Sequence, residues 1–359
     1  MRTRPVRIVC VVLRAAGRRG AGAPTAEARL LIIFLVAALA VAGWSSARAA
    51  EKVTVGIGGV ALMVYLPTVL AKDKGYFAEE GLDVEILDIK GGGSQAASAL
   101  IGGSVDFSAN AIDHAIKAKA QGKDLVAVHS HVRLPVMGLV VANKYKGVIK
   151  SVADLKGHPV GVTSPGSQTH MVLGYLLVKA GVKPSDVQIM GAGGNTMPLA
   201  LEKDSVHAGM MVDPFFTVFL KQGKGFTLVD MFTTKGTLDA MGGEVQGTTL
   251  LTHPDVIAKR PATVQKMVNA LVKANKLITS SSGEELARLV PKEISGDLKL
   301  YAESFEHARE AFPPDSLVSR DGVARVIETM RAFDVVPAGM KLEPESVYDN
   351  RFVLKALGR

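Results

Sequence analysis

The sequence predicts a two-lobed α/β protein. Two series of short strands alternating with helices carry that prediction, one from Val53 to Val128 and one from Leu139 to Val212. Alternation of this length marks βαβ units and a mostly parallel sheet. After His253 the pattern turns helical, with Val264, Met267, Val268, Leu271 and Val272 at i, i+3, i+4 spacing. Two separate series suggest two lobes rather than one large sheet.

Val53-Thr54-Val55 alternates and runs into Gly56, a first strand. Pro67 suits the opening turn of a helix that runs through Leu70 and Ala71 past Gly75 to Phe77 and Glu80, with Gly81 as its stop. Leu82 to Ile89 alternates as a second strand, and Gly91-Gly92-Gly93-Ser94 opens an alanine-rich helix to Ile101. Val105-Asp106-Phe107 is a third strand, Ile112 to Gln121 a helix, and Leu125 to Val128 a fourth strand.

The second series starts with a strand over Leu139 to Ala142 and a helical turn over Val152 to Lys156. Pro159 to Val162 is a strand, and Ser164-Pro165-Gly166-Ser167 turns into a helix from Thr169 to Lys179. Val187 to Met190 and His207 to Val212 are strands separated by a helix over Asn195 to Lys203. Asp213 reads as the N-cap of a helix reaching Lys221, or else as a polar group lining a cleft. From Pro254 to Phe333 the chain is helical, interrupted by a plain loop at Ser280–Gly283.

The first 49 residues are of another kind. They hold eight arginines against the single acid Glu27, and so account for +7 of the formal net charge of +8. Leu30 to Trp44 is an unbroken apolar run, shorter than the ~20 residues of a membrane-spanning helix. Ala47-Arg48-Ala49 follows it as a small-x-small cleavage pattern, so the segment reads as a signal peptide cleaved near Ala49/Ala50, with an uncleaved anchor as the alternative. The remaining body is nearly neutral, which speaks against a nucleic-acid binder working by broad charge neutralisation. Cys10 and Trp44, the only cysteine and tryptophan, both lie in the leader. The body therefore has no disulfide and no thiol chemistry, and an exported protein of this make-up suits a Gram-negative periplasm.

Catalytic patterns are missing: the chain has no phosphate-binding G-x-x-x-x-G-K-[ST], no H-E-x-x-H and no G-x-S-x-G. His129 and His131 stand at metal-ligand spacing, or are ordinary polar loop residues. Gly56-Ile57-Gly58-Gly59-Val60-Ala61 fits a dinucleotide fingerprint, with Asp88 as the ribose acid. That makes an exported oxidoreductase an alternative, although Pro67 falls where the fingerprint helix should already be running.

Gly75-Tyr76-Phe77-Ala78-Glu79-Glu80-Gly81-Leu82-Asp83-Val84-Glu85 resembles a segment of periplasmic substrate-binding proteins for nitrate, sulfonates, taurine and thiamine-pyrimidine precursors. Further matches come in the family's order: Gly91-Gly92-Gly93-Ser94, Gly103-Ser104-Val105-Asp106-Phe107, Val152-Ala153-Asp154-Leu155-Lys156-Gly157, Ser164-Pro165-Gly166-Ser167 and Asp213-Pro214-Phe215. The resemblance implies a type II periplasmic-binding fold, with two α/β lobes, a two-strand hinge near Gly138–Val141 and Gly247–Leu251, and a ligand cleft between the lobes. Lobe 1 would combine 50–140 with 250–359, and lobe 2 would be 141–249. The family also holds cytoplasmic enzymes that make a thiamine pyrimidine precursor, whose cysteine-rich iron-binding motif is missing from this sequence.

Parallel α/β sheets bind ligands at the carboxyl ends of their strands, where helix N-termini offer free N–H groups. In lobe 1 this selects Leu62 and Tyr65, Gly93 and Ser94, and Ser108 and Asn110; in lobe 2 it selects Ser164, Gly166, Ser167 and Thr169, then Asn195 and Asp213. Each loop has a plainer reading as a turn with a helix cap. Arg133, the only arginine between residues 50 and 259, is either the partner of an anionic ligand or a solvated loop residue. The expectation is a monomeric periplasmic solute-binding subunit of an ATP-driven importer. It would take a sulfonate, nitrate, carboxylate or aromatic acid by lobe closure and hand it to a membrane permease, with no cofactor and no chemistry. A ligand-binding module feeding a sensor is a further alternative.

Overall fold

The computed structural model describes residues 49–332 and 335–359. The leader expectations, Ala49 apart, and Phe333 lie outside the described residues. The strands form two five-stranded sheets. The first is built from β1 (Glu51–Ile57), β2 (Leu82–Asp88), β3 (Phe107–Ala111), β4 (Val126–Ser130) and β10 (Thr248–Thr252), in the order β2-β1-β3-β10-β4. The second comprises β5 (Met137–Ala142), β6 (Pro159–Val162), β7 (Gln188–Gly191), β8 (Ala208–Val212) and β9 (Gly225–Asp230), in the order β7-β6-β8-β5-β9.

The sheets are mixed, and the crossings explain it. β1 pairs parallel with β2 and β3, and β6 pairs parallel with β7 and β8, as βαβ units require. β5 and β10 run antiparallel to both of their neighbours. These are the first strands laid down after the chain changes sheet, through 131–136 and 242–247, so each enters its lobe from the opposite end. The segments expected as hinges lie within β5 and the start of β10, just past the crossings. β5 reads Met-Gly-Leu-Val-Val-Ala and is buried throughout, as befits a strand covered on both faces.

In the first lobe α1 (Leu66–Asp73) and α2 (Tyr76–Glu79) replace the single helix expected there. Gly75 separates them with φ 75°, a left-handed conformation that glycine adopts without steric cost. α3 (Gly92–Ile101) and α4 (Asp113–Ala120) follow β2 and β3. β3 begins two residues later than expected, so Ser108 and Asn110 lie inside a buried strand rather than in a loop. Asp106 is held outside the strand by Thr54 and by Arg260 at 2.6 Å. His129 and His131 are fully buried, Nδ1 to Nδ1 3.2 Å apart, and His131 Nε2 meets Thr68 Oγ1 at 2.7 Å. They are therefore packed core side chains, His129 within β4 and His131 in the buried crossing just after it.

The second lobe carries α5 (Gln168–Lys179), α6 (Met197–Glu202), α7 (Phe215–Lys221) and α8 (Thr234–Met241). The N-cap position of α7 is Pro214 and not Asp213, but Asp213 Oδ1, one residue earlier, accepts the Thr217 N–H of the first turn at 2.8 Å. β9 and α8 are elements beyond the strand-helix series read from sequence; α8 is bounded by its own caps, Thr233 Oγ1 accepting the Gly236 N–H and Gly242 ending it in the left-handed region. Helices α9 (Pro254–Lys259), α10 (Pro261–Ser280), α11 (Gly283–Leu289), α12 (Lys292–Ser295), α13 (Leu298–Ala308), α14 (Arg320–Arg331) and α15 (Arg351–Ala356) complete the chain. α10 buries Val264, Met267, Val268 and Leu271 against α1 and α15. The Ser280–Gly283 loop is a helix junction: Ser282 and Glu285 form a capping box that starts α11.

Candidate functional site

The site grows from the carboxyl end of β1. Gly58 follows the strand, and its α-carbon lies against the start of α3; a Cβ there would sit 2.4 Å from the Gly93 nitrogen. This backbone contact fills the space that a dinucleotide pyrophosphate would need. The first helix after β1 begins only at Leu66, and the Asp88 carboxylate accepts the Val60 N–H at 3.1 Å instead of facing a ribose. The fingerprint is therefore a loop that turns back on itself, Leu62 N donating to Gly59 O at 2.9 Å.

Asn110 fixes the neighbouring loop. Its amide donates to Gly93 O at 2.7 Å and its oxygen accepts the Ala111 N–H at 3.0 Å. Tyr65 is buried beside it, and burial, with Asp88 and Asp113 nearby, pushes its phenol up to about 12. It stays neutral and available as a donor. His114, in the first turn of α4, faces the same space with its Nε2 unpartnered.

The opposite wall is a cluster of hydroxyls at the start of α5. Thr169 Oγ1 accepts the Thr163 N–H at 2.9 Å and lies 2.8 Å from Ser167 Oγ, which itself donates to Ser164 O at 2.6 Å. Ser167 occupies the cap position of α5, yet its hydroxyl caps no helix N–H. The Gln168, Thr169 and His170 N–H groups of the first turn take no backbone partner among the described residues. This end of α5 thus presents a partial positive charge beside neutral hydroxyls.

The two walls touch. Ser94 Oγ donates to Pro165 O at 2.9 Å, Ser164 Oγ approaches Ser94 Oγ at 3.3 Å, and Met63 N donates to Asp213 O at 2.8 Å. The cavity left between them is about 40 Å³, room for a water or two and too little for an organic solute. The lobes are thus closed on each other.

Of the residues singled out from sequence, Leu62, Tyr65, Gly93, Asn110, Ser167 and Thr169 line this cavity. Ser94, Ser164 and Gly166 sit at its closing edge, where Gly166 lies close to Ser94 Oγ and to Lys117 Nζ. Ser108 faces away, its hydroxyl donating to Gly56 O at 3.0 Å. Asn195 lies near Gly59, outside the lining. The Asp213 side chain points into the protein, toward Thr217 and His307, and only its carbonyl reaches the closing edge. Arg133 pairs with Asp315 at 2.7 Å and takes no part in the cleft. The lining also includes His114, Thr163, Thr248, Pro135 and Met137. Pro135 lies in the first crossing, and Met137 and Thr248 are the strand residues that directly follow the two crossings, whose position no local pattern announces. Among the described residues no Lys, Arg, Asp or Glu lines the cavity.

A larger groove, about 1130 Å³, runs between α7 and α13. Its walls combine apolar side chains such as Phe216, Leu220 and Leu298 with charged ones that pair with each other, such as Lys221–Glu303 at 2.7 Å, and it lies away from the carboxyl ends of the parallel strands.

The NMT1/THI5-like family profile matches residues 63–282. A solved structure from Bordetella bronchiseptica RB50 is 34% identical and superposes with a TM-score of 0.81 over 87% of this chain and 98% of that one. The periplasmic aliphatic sulphonate binding protein SsuA from Escherichia coli is 25% identical, with a TM-score of 0.61 over 82% of this chain and 96% of its own. The 4-amino-5-hydroxymethyl-2-methylpyrimidine phosphate synthase THI11 of Saccharomyces cerevisiae is 28% identical over 235 residues, 64% of this chain and 67% of its own length. The superpositions carry the type II periplasmic-binding fold that the sequence motifs implied.

Proposed function

The chain belongs to the NMT1/THI5-like family, and from that premise we propose that it is the periplasmic solute-binding subunit of an ATP-driven importer. It captures a small organic anion, such as a sulfonate, carboxylate or aromatic acid, by lobe closure and delivers it to a membrane permease. The observation that carries this reading is the small cavity held between two lobes that touch. Its polar lining comes from the first turn of α5 and from Tyr65, Asn110 and His114, and its apolar lining from Leu62, Val64 and Met137. Neutral hydroxyls and helix N–H groups suit an anion's oxygens, and the apolar side suits a hydrocarbon body. This combination favours an organic anion over bare nitrate.

The reading assigns the chain no chemistry of its own. The yeast relative is named a synthase, but the iron-binding cysteines that the resemblance attaches to such enzymes have no counterpart here, Cys10 lying in the leader. The lobes are taken as 50–140 with 250–359 and as 141–249. The mature protein is taken to begin at Ala50, so N-terminal sequencing of periplasmic material should read Ala50-Glu51-Lys52-Val53. A thermal-shift screen of the purified protein against ethanesulfonate, taurine, benzoate and nitrate tests the function. Saturable stabilisation by an organic member is expected, about 2.7 kcal/mol at a hundred times its Kd. No stabilisation by any member would contradict the reading.

A further inference from the structure

α4 carries two buried polar side chains without partners among the described residues, and of the two His114 lines the cleft. His114 is 5% exposed and lines the cavity, and nothing bonds its Nε2. Asp113, next to it, is 2% exposed, and neither of its carboxylate oxygens has a partner. The large majority of buried polar atoms in folded proteins are paired, so two adjacent unpaired groups at one place call for an explanation. The cavity also lacks any lysine or arginine among the described residues, so an anion entering it meets no fixed counter-charge. A low-dielectric space strongly disfavours an uncompensated charge.

We propose that His114 and Asp113 act as a proton-taking pair, so that an organic anion enters the cleft together with one proton from solvent. The proposal rests on the solute-binding reading above. In the empty cleft the pair shares one proton and is neutral. On binding, a solute of charge −1 and a proton enter. The pair then holds two protons, an Asp113 carboxyl and a His114 imidazolium, with charge +1, and the occupied cleft is neutral. No bond of the solute is made or broken.

The surroundings agree with this sharing. Burial pushes the Asp113 carboxyl up and the His114 imidazole down, and each group's charge opposes the shift of the other. Lys117, one turn along α4, lowers both. Tyr65 is the titratable neighbour from the segment before α1 and is neutral. α3 and β3 bring no titratable group. α14 and the turn at 344–347 pack on α4: Arg320 pairs with Glu345 at 2.6 Å and stands 3.8 Å from Asp321, Arg325 pairs with Glu328 at 2.8 Å, and Arg331 donates to Met340 O at 3.0 Å rather than to an acid. A coupled pair of this kind titrates as a unit.

The test is calorimetric titration of the purified periplasmic protein with ethanesulfonate, in phosphate and in Tris, whose ionisation enthalpies differ. The wild type should show apparent enthalpies that differ between the buffers by the uptake of up to about one proton per ligand. Its affinity should fall as pH rises, by at most about tenfold per unit. His114→Gln should bind more weakly, with equal enthalpies in both buffers. Asp113→Asn, which mimics the neutral carboxyl of the occupied cleft, should keep the uptake of about one proton per ligand, now by His114 alone; binding with no proton uptake in this variant would overturn His114 as the acceptor. Saturable wild-type binding with equal enthalpies and no pH dependence would overturn the proposal, and that comparison needs no variant to fold. If ethanesulfonate, taurine, benzoate and nitrate all failed to bind, the solute-binding reading itself would fall and the proposal with it. The two failures are told apart by whether the titration saturates.

Discussion

His307 on α13 donates through Nε2 to the Asp230 carboxylate at the end of β9, 2.9 Å away, while its Nδ1 stands 3.6 Å from the buried Asp213 carboxylate. The imidazole therefore ties a C-terminal helix to the second sheet, outside the cavity lining. Its ring lies against Phe232, centroids 4.4 Å apart, and stacks on Phe216 at 5.6 Å. Burial alone would lower the imidazole, but the hydrogen bond to Asp230 and the nearby Asp213 carboxylate outweigh it and raise it to about 9.

The pH dependence follows from that shift. The folded value lies above the unfolded one, so the stabilisation is fully present below about pH 6.5 and is lost as pH rises through about 9. The melting temperature should fall over this interval. His307→Gln should flatten that slope and lower stability at neutral pH by about 1.5–3 kcal/mol, the range for hydrogen bonds to charged groups. Melting curves of both proteins across the interval check it; parallel slopes would contradict it.

Gly58→Ala should be costly although the residue is small. The added methyl would lie 2.4 Å from the Gly93 nitrogen and 2.5 Å from the Gly92 carbonyl carbon, both backbone atoms that cannot rotate away. The start of α3 must move, at about 1–3 kcal/mol. Urea unfolding should show the loss, and ligand calorimetry a weakened cleft. A variant as stable as wild type would mean that α3 is free to shift.

Ser167 tests the hydroxyl cluster. From sequence it reads as a cap, and a cap would accept aspartate readily. In the structure its hydroxyl donates to Ser164 O at 2.6 Å. Ser167→Asp would set a carboxylate against that carbonyl, and the unliganded protein should lose about 1–3 kcal/mol. Ser167→Ala should cost about 1 kcal/mol. Chemical denaturation of the two variants decides: an aspartate variant at least as stable as wild type would restore the capping role.

How far the sequence reached depends on whether a feature is local. Strand-helix alternation and the glycines before α3 are local, and they placed most elements within a residue or two. The reversed direction of β5 and β10 is set by where the chain changes sheet, which no short pattern encodes. Ser108 and Asn110 were read as a loop because Val105-Asp106-Phe107 looks like a complete strand; the distant Arg260 holds Asp106 outside it. His114 was missed for a similar reason. It sits in an ordinary helical stretch, and only the approach of the second lobe encloses it. His129 and His131 looked polar in sequence and are core because α1 brings Thr68 to His131.

Ser94 holds the cleft shut from the first lobe, donating to Pro165 O at 2.9 Å. Ser94→Ala removes about 0.5–1.5 kcal/mol from the closed arrangement alone. The unliganded variant should be more open in solution than wild type, with a melting temperature nearly unchanged. Its affinity for an organic anion should fall by about tenfold or less, since the ligand must then supply more of the free energy of closure. Unchanged affinity would mean that this bond forms only incidentally.

Small-angle scattering of the wild-type protein, with and without a calorimetrically confirmed organic anion, tests the central claim most directly. A cavity of about 40 Å³ admits no solute, so the lobes must part to load it and close to hold it. The radius of gyration of the unliganded protein should exceed that of the closed arrangement described here, and saturating ligand should bring it down to that value. An identical radius in both states, with binding confirmed, would contradict capture by lobe closure.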